Sequence, residues 1–393
     1  MEKYIYLDNA ATSFPKSEAV YRAMDEANRN FAVNSGRGSY ALAEKAESII
    51  EETRGLIRTL AQAQEMAEVV FTPSATFACN QILGGLHWEK TDVVYVSPYE
   101  HNAIMRVLHM LQKQYGFEIE ELAINAKTLE LDLEKITYQF IQKPPRVLCM
   151  TQVSNVTGYV LPVKEVAALV KESGAVVIVD GSQSFGLIPA ELKNSGIDFY
   201  VFAGHKTLGG PFGVGGYVNH RGRELEIVYA GGTGSDSLNL NMPERAPGRY
   251  EPGSPNVSAI AGLHAALKEL GTDGESMYRS VRGIRQKERF LFRGLEEELR
   301  RIPGVQMYFP VEKERRSGIC SFNVEGYQAS DVGMLLDEDY HIAVRCGYHC
   351  APLIHKYLRD EEYGGTVRVS VGRFNTEEDV ERLVKAVDEI ARG

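Results

Sequence analysis

No stretch of this 393-residue sequence is both uncharged and apolar for long enough to cross a bilayer, so no membrane partner is expected. Cysteine is scarce. The five residues Cys79, Cys149, Cys320, Cys346 and Cys350 are few and odd in number, which argues against a secreted disulfide framework. Positive charge is in deficit, with 43 Lys and Arg against 53 Asp and Glu and a net charge of −10. A global basic footprint for nucleic acid is therefore absent, and no nucleic-acid partner is expected. The glycine-rich stretch 209–216 follows neither G-x-G-x-x-G nor G-x-x-x-x-G-K-[ST]. It reads as a loop or a tight strand approach, not a nucleotide site. There is no internal repeat and no low-complexity segment. The first residues do not make a signal peptide, and a reducing, cytoplasmic setting is expected.

What is present is an ordinary globular mix, 44% hydrophobic and 24% charged. The length is large for one core and suggests two domains. Short β-branched runs alternate with longer amphipathic stretches. Residues 69–71, 93–96, 147–150, 175–180 and 197–202 read as strands. Leu42, Ala46, Ile49, Thr53, Leu56 and Leu60 recur at helical spacing, and 163–171 reads as a helix closed by Ser173-Gly174. Strands alternating with helices predict an α/β fold with a mainly parallel sheet and helices on both faces. The last third differs. There 258–299 is largely helical, and 318–324 and 341–344 read as strands. Thr376 caps a final helix with the apolar face Val380, Leu383, Val384, Val387 and Ile390. The charge run 312–316 reads as a solvated turn. A boundary near Pro255 is expected. It divides a large domain (15–255) from a small α+β domain (256–393), against which an N-terminal segment (1–14) packs.

The chemistry sits at strand ends, where open parallel sheets bind their ligands. Lys206 follows the 197–202 run in Phe-Ala-Gly-His-Lys, and Asp180 closes the 175–180 run. Taken singly, a strand-end lysine is usually a surface residue and a strand-end aspartate often a helix cap. Together and in this order they suit pyridoxal 5'-phosphate (PLP). The lysine holds the cofactor, and the aspartate keeps a proton on its pyridine nitrogen so that the ring accepts electrons. Ser74-Ala75-Thr76 offers small residues and a hydroxyl at a helix start, where backbone N–H groups can hold a phosphate. Asn155 and Gln183 suit hydrogen bonds to a ring hydroxyl, and His101 suits stacking on the ring face. Cys350, in Arg-Cys-Gly-Tyr-His-Cys-Ala-Pro (345–352), is the candidate nucleophile. Only the thiolate attacks well. Arg345 and His349 lie within five residues and favour the anion if the loop brings them near. Cys346, His349, Cys350 and His355 have metal-like chemistry, but without a second C-x-x-C pair no metal site is expected.

These residues, in this order, resemble the class V (fold type I) PLP-dependent enzymes, and more closely their cysteine desulfurase and selenocysteine lyase branch. The matches run over nearly the whole chain. They are Tyr-Leu-Asp-Asn-Ala-Ala-Thr (6–12), Glu-His (100–101), Val-Ser-Asn-Val-x-Gly (153–158) and Val-Asp-Gly-x-Gln (179–183), followed by Phe-Tyr-Val-Phe-x-Gly-His-Lys (199–206), Gly-Ser-Pro-Asn (253–256) and Arg-x-Gly-x-His-Cys-Ala (345–351). The resemblance implies that Lys206 is the Schiff-base lysine and Asp180 the pyridinium partner. It makes His101 the stacking histidine, with a part in proton transfer. Asn155 and Gln183 match positions near the ring hydroxyl and the substrate carboxylate. Ala75, Thr76 and His205 match phosphate contacts. Ser254 matches a hydroxyl that reaches a neighbouring subunit's phosphate, which implies a homodimer. Arg368, in Thr-Val-Arg-Val-Ser (366–370), matches the arginine that clamps the substrate α-carboxylate, and Arg345 is a further substrate contact; the planar fork suits that task. Cys350 matches the nucleophile of the short-loop, SUF-type group. Three positions depart from the pattern. Ala203 replaces a serine that gives many relatives a phosphate hydroxyl, Cys346 stands where threonine is common, and Tyr348 where a first histidine is common.

The implied reaction takes L-cysteine or L-selenocysteine, moves its sulfur or selenium to Cys350, releases alanine, and hands the persulfide to an acceptor protein. Two other readings stay open on sequence alone. One is a different class V reaction, transamination or β-elimination, that needs no cysteine. The other is a sulfur carrier whose main task is docking an acceptor through the segment 355–365.

Overall fold

The computed structural model describes residues 4–35, 38, 40–171, 173–234 and 238–393. The chain opens with a two-residue strand, β1 (Ile5–Tyr6), and two helices, α1 (Glu18–Asn30) and α2 (Ala41–Ala61). Strands and helices then alternate through β2 (Glu68–Thr72), α3 (Ala75–Gly84), β3 (Val93–Val96), α4 (Asn102–Tyr115) and β4 (Glu118–Glu121). A small pair, β5 (Ile124–Asn125) and β6 (Glu130–Leu131), precedes α5 (Leu133–Gln142), β7 (Val147–Thr151), α6 (Val163–Leu169), β8 (Val176–Asp180), β9 (Phe199–Ala203) and β10 (Gly215–Asn219).

Among the described residues the main sheet has seven strands in the order β2-β10-β9-β8-β7-β3-β4. β10 runs antiparallel to both its neighbours, and the other described pairs are parallel. Apolar residues at successive positions bury both faces, as a sheet covered by helices on each side requires. Side chains along β7 and β8 alternate between two cores. Leu148, Met150, Val177 and Val179 join residues of α2, α6 and α7 (Val257–Leu270), while Val147, Cys149, Val176 and Ile178 join those of α3 and α4. The glycines opening β10 are steric. A Cβ on Gly216 would lie 2.1 Å from the Val70 carbonyl oxygen, so 209–216 leads into a tight strand approach.

The long helix α8 (Gly274–Leu299) passes from one core to another. Met277 and Val281 belong to the main core, and Leu291, Phe292, Leu295 and Leu299 to a second. The remaining elements are β11 (Val305–Tyr308), β12 (Ile319–Val324), α9 (Ala329–Glu338), β13 (Ile342–Ala343), β14 (Arg345–Gly347), α10 (His355–Leu358), β15 (Thr366–Ser370) and α11 (Glu377–Arg392). Four of these strands make a sheet of order β11-β12-β15-β14, and β1 returns to pair with β13. Thr376 caps α11, its Oγ1 accepting from the Asp379 N–H at 3.3 Å.

One expectation is corrected. The charge run 312–316 is not wholly a solvated turn, because Arg316 is buried. Its guanidinium donates to Glu296 at 2.6 Å and to the carbonyls of Pro310 at 2.7 Å and Val311 at 2.8 Å. The partner carboxylate comes from α8, 20 residues upstream, so a local charge pattern does not reveal it.

Candidate active site

The carboxyl ends of β2, β3, β7, β8 and β9 open on one edge of the main sheet. Register aligns Thr151 with Asp180 and Asp180 with Val201, and also Thr72 with Gly215 and Gly215 with Ala203. Ala75 and Thr76, His101, Asn155, Asp180, Gln183, His205 and Lys206 all close or closely follow these strands.

Lys206 is half-buried. Burial lowers the pKa of its amine, Arg368 and Arg345 lower it further, and Asp180 and Cys350 oppose them. These five groups, drawn from both large sheets and the loop after β14, thus share one electrostatic neighbourhood. Asp180 is buried, and its Oδ1 accepts from the Ser182 N–H at 2.9 Å. His101 caps α4, its Nδ1 accepting from the Ala103 N–H at 3.0 Å, which leaves the proton of the neutral ring on Nε2. Burial, then Lys206, pushes its pKa down to about 4. His205 stacks on Phe212 at 4.5 Å, and its buried Nδ1 has no partner among the described residues. Burial, then Lys206 and Lys16, pushes its pKa down to about 3.

Asn155 is a junction. Its Nδ2 donates to the His349 carbonyl at 2.6 Å, and its own carbonyl accepts from Arg368 Nη1 at 2.9 Å. The Arg368 side chain is fully enclosed and also donates to Asp8 Oδ1 at 2.5 Å, leaving Nε without a partner among the described residues. Gln183 Nε2 donates to the Ala10 carbonyl at 2.7 Å. Ala75 and Thr76 form the first turn of α3, with Gly215 packed so closely that a Cβ there would sit 2.9 Å from the Ala75 nitrogen. Ser254 does not join this group within the chain. It is exposed, its hydroxyl accepts from Asn34 at 3.2 Å, and it lines a separate cavity with Arg54, Phe71, Tyr229 and Glu251.

The candidate nucleophile sits on a strained turn. β14 and β15 pair with Arg345 opposite Arg368. The chain then bends through two successive left-handed residues, His349 (φ 48°) and Cys350 (φ 59°), a conformation that side chains other than glycine rarely adopt. The bend brings Arg345 Nη2 to 3.4 Å from Cys350 Sγ. His349 turns the other way, its Nε2 2.8 Å from Thr366 Oγ1 and 3.1 Å from the Thr366 carbonyl. Burial, then Arg368 and His355, drives its pKa well below the usual range, so it is neutral. Of the two groups that proximity in sequence offered to the thiolate, one is in place and the other faces β15. Cys346 is no rival, since burial pushes its thiol up to about 11.

Sequence reasoning missed Asp8, which orients Arg368, and the Asn102 N–H, which donates to the Cys350 carbonyl at 2.7 Å. Asp8 lies inside the 6–12 motif, but no local pattern ties it to a residue 360 positions away. A small cavity of about 50 Å³ also touches Lys206 on the side of Lys16, Glu288 and Arg373, room for a few waters.

The profile of the family described as aminotransferase class-V matches residues 5–383. A probable cysteine desulfurase of Methanothermobacter thermautotrophicus is 30% identical over 400 residues, covering 100% of this chain and 96% of that protein. A cysteine desulfurase of Klebsiella pneumoniae is 34% identical over 397 residues, covering 98% and 93%. Among solved structures, the apo cysteine desulfurase of Thermococcus onnurineus NA1 superposes with a TM-score of 0.88 at 29% identity, covering 99% of this chain and 95% of that one. A cysteine desulfurase of Escherichia coli, solved in an S-sulfonic acid form, gives 0.85 at 29% identity with the same coverage, 99% and 95%.

Proposed function

The chain belongs to the class-V aminotransferase family, and from that premise we propose that it is a PLP-dependent cysteine desulfurase acting through a persulfide on Cys350. The observation that carries the reading is the meeting of Lys206, Asp180, Arg368, Arg345 and Cys350 in one neighbourhood. The residues fit PLP. His205 presents a buried nitrogen without a partner among the described residues, and Gly215 leaves the Ala75 N–H uncrowded. With Thr76 at the helix start, these would hold the phosphate. Asp180 would hold a proton on the pyridine nitrogen, His101 would lie on the ring face, and Asn155 and Gln183 would flank the ring hydroxyl. When bound, PLP supplies an electron sink for charge developing at the substrate Cα.

The chain's own residues do the rest. Lys206, made less basic by burial, takes the Cα proton and later returns one. Arg368 binds the α-carboxylate, with Asp8 fixing the plane of the fork and Arg345 on the paired strand beside it. Cys350 Sγ, with the Arg345 guanidinium 3.4 Å away, attacks the substrate sulfur. An S–S bond forms as the Cβ–S bond breaks. The electron pair stays with Cβ, which takes a proton and becomes the methyl group of alanine. The persulfide then passes to an acceptor protein. L-selenocysteine would deliver selenium by the same attack.

The reading includes a homodimer in which Ser254 serves the partner's phosphate. Leu238 and Leu240, in the segment before it, are 97% and 100% exposed, apolar surface that a subunit interface would cover. It also includes the division near Pro255 and a cytoplasmic setting. All five cysteines are unpaired, as a reducing compartment would leave them. No helix among the described residues is long and apolar enough to cross a membrane. The test is mass spectrometry of the PLP-loaded protein after L-cysteine. The peptide bearing Cys350 should gain one sulfur atom, and a peptide that gains none contradicts the reading.

A further inference from the structure

The turn carrying Cys350 is gripped at three successive carbonyls, each by a different element. Asn155 Nδ2 donates to the His349 carbonyl at 2.6 Å, and the Asn102 N–H at the start of α4 donates to the Cys350 carbonyl at 2.7 Å. The third grip comes from His355, whose Nε2 lies 2.9 Å from the Tyr348 carbonyl. A carbonyl only accepts, so Nε2 carries a proton. On the other side of the ring, Nδ1 lies 2.6 Å from Asp360 Oδ2. Both side chains are buried, and the Tyr348 ring stands edge-on to the imidazole at 4.9 Å.

Nothing in the reaction above uses this pair. A buried, hydrogen-bonded His–Asp pair is in itself a weak source of stability. This one is placed behind a turn held left-handed at two residues that are not glycine, a backbone that persists only where its surroundings over-determine it. We propose that His355, oriented by Asp360, is a positioning residue that grips the Tyr348 carbonyl and thereby holds the His349–Cys350 turn so that Cys350 Sγ stays beside Arg345. The inference rests on the proposed role of Cys350 as nucleophile. Asp360 fixes the ring plane and keeps Nε2–H aimed at the carbonyl, much as outer carboxylates orient ligand imidazoles.

The experiment compares PLP-loaded wild type with His355→Ala in two assays. The first follows exchange of the Cα proton of L-alanine with deuterated solvent, which needs Lys206 and Arg368 but has no sulfur to transfer. The second follows persulfide formation on Cys350 in one turnover with L-cysteine. Exchange should be unchanged, while persulfide formation slows by about 10- to 100-fold, the usual effect of releasing a reacting group from its support. Asp360→Ala should behave like His355→Ala. Asp360→Asn, which can still hydrogen-bond Nδ1, should keep most of the wild-type rate. Persulfide formation at the wild-type rate in His355→Ala overturns the proposal. So does an equal loss in both assays, which would signal general damage to the fold. A wild type that exchanges alanine protons but forms no persulfide would sink the desulfurase reading, and this inference with it.

Discussion

The Arg345 guanidinium reaches the Cys350 sulfur at 3.4 Å, while His349, its neighbour in sequence, is bound to Thr366. The permanent cation, not the titratable ring, therefore stands by the sulfur. Arg345→Met should slow alkylation of Cys350 by iodoacetamide at neutral pH by about tenfold, the loss of one charge-assisted hydrogen bond of about 1.5 kcal/mol. An unchanged rate would place the support of the anion elsewhere.

Lys206→Ala should leave the purified protein without the visible absorbance of covalently held PLP and without exchange at the Cα of L-alanine. Colour that survived the substitution would mean that another lysine carries the cofactor.

Arg368 is locked between Asp8 and the Asn155 carbonyl. Lysine cannot span both partners and still present a fork. Arg368→Lys should raise KM for L-cysteine by about tenfold or more, one hydrogen bond to a charged group, with a smaller effect on kcat. Steady-state kinetics with L-cysteine and reductant would show it. An unaltered KM would remove Arg368 from the carboxylate site.

Stability should depend on pH through two buried carboxyls. Burial pushes Glu288 and Glu100 up to about 8 from an ordinary 4.5; Arg373 and Lys287 oppose this at Glu288, and hydrogen bonds from Ser97 and the Thr151 N–H oppose it at Glu100. Below pH 4.5 both folded and unfolded chains hold these protons. As pH rises from 4.5 through 8, the unfolded chain loses protons that the folded one keeps, so their contribution to stability is lost across that window. Glu288→Gln cannot ionise. Urea unfolding at pH 5, 7 and 9 should show the variant losing less stability with rising pH than wild type. Parallel curves would contradict the assignment.

The parts of the site written locally were legible in the sequence. Lys206 and Asp180 close two apolar runs, and that pattern alone places them at the carboxyl edge of a parallel sheet. The apolar face of α11 and its Thr376 cap were equally local. The parts that depend on chain return were not. Asp8 meets Arg368 only because β1 runs alongside β13 and Asp8 bridges to Ser370. Arg316 looked solvated because its partner Glu296 lies in another element. Whether Arg345 or His349 would face Cys350 depended on two left-handed backbone angles, to which the side chains there give no clue.

The most direct test of the central claim is alanine release from L-cysteine, measured with reductant on PLP-loaded wild type and Cys350→Ala. Rapid release by wild type and none by the variant, with both still exchanging the Cα proton of L-alanine, is the predicted result. Alanine released at equal rates by both proteins would contradict the persulfide mechanism and point to an elimination or transamination that needs no cysteine.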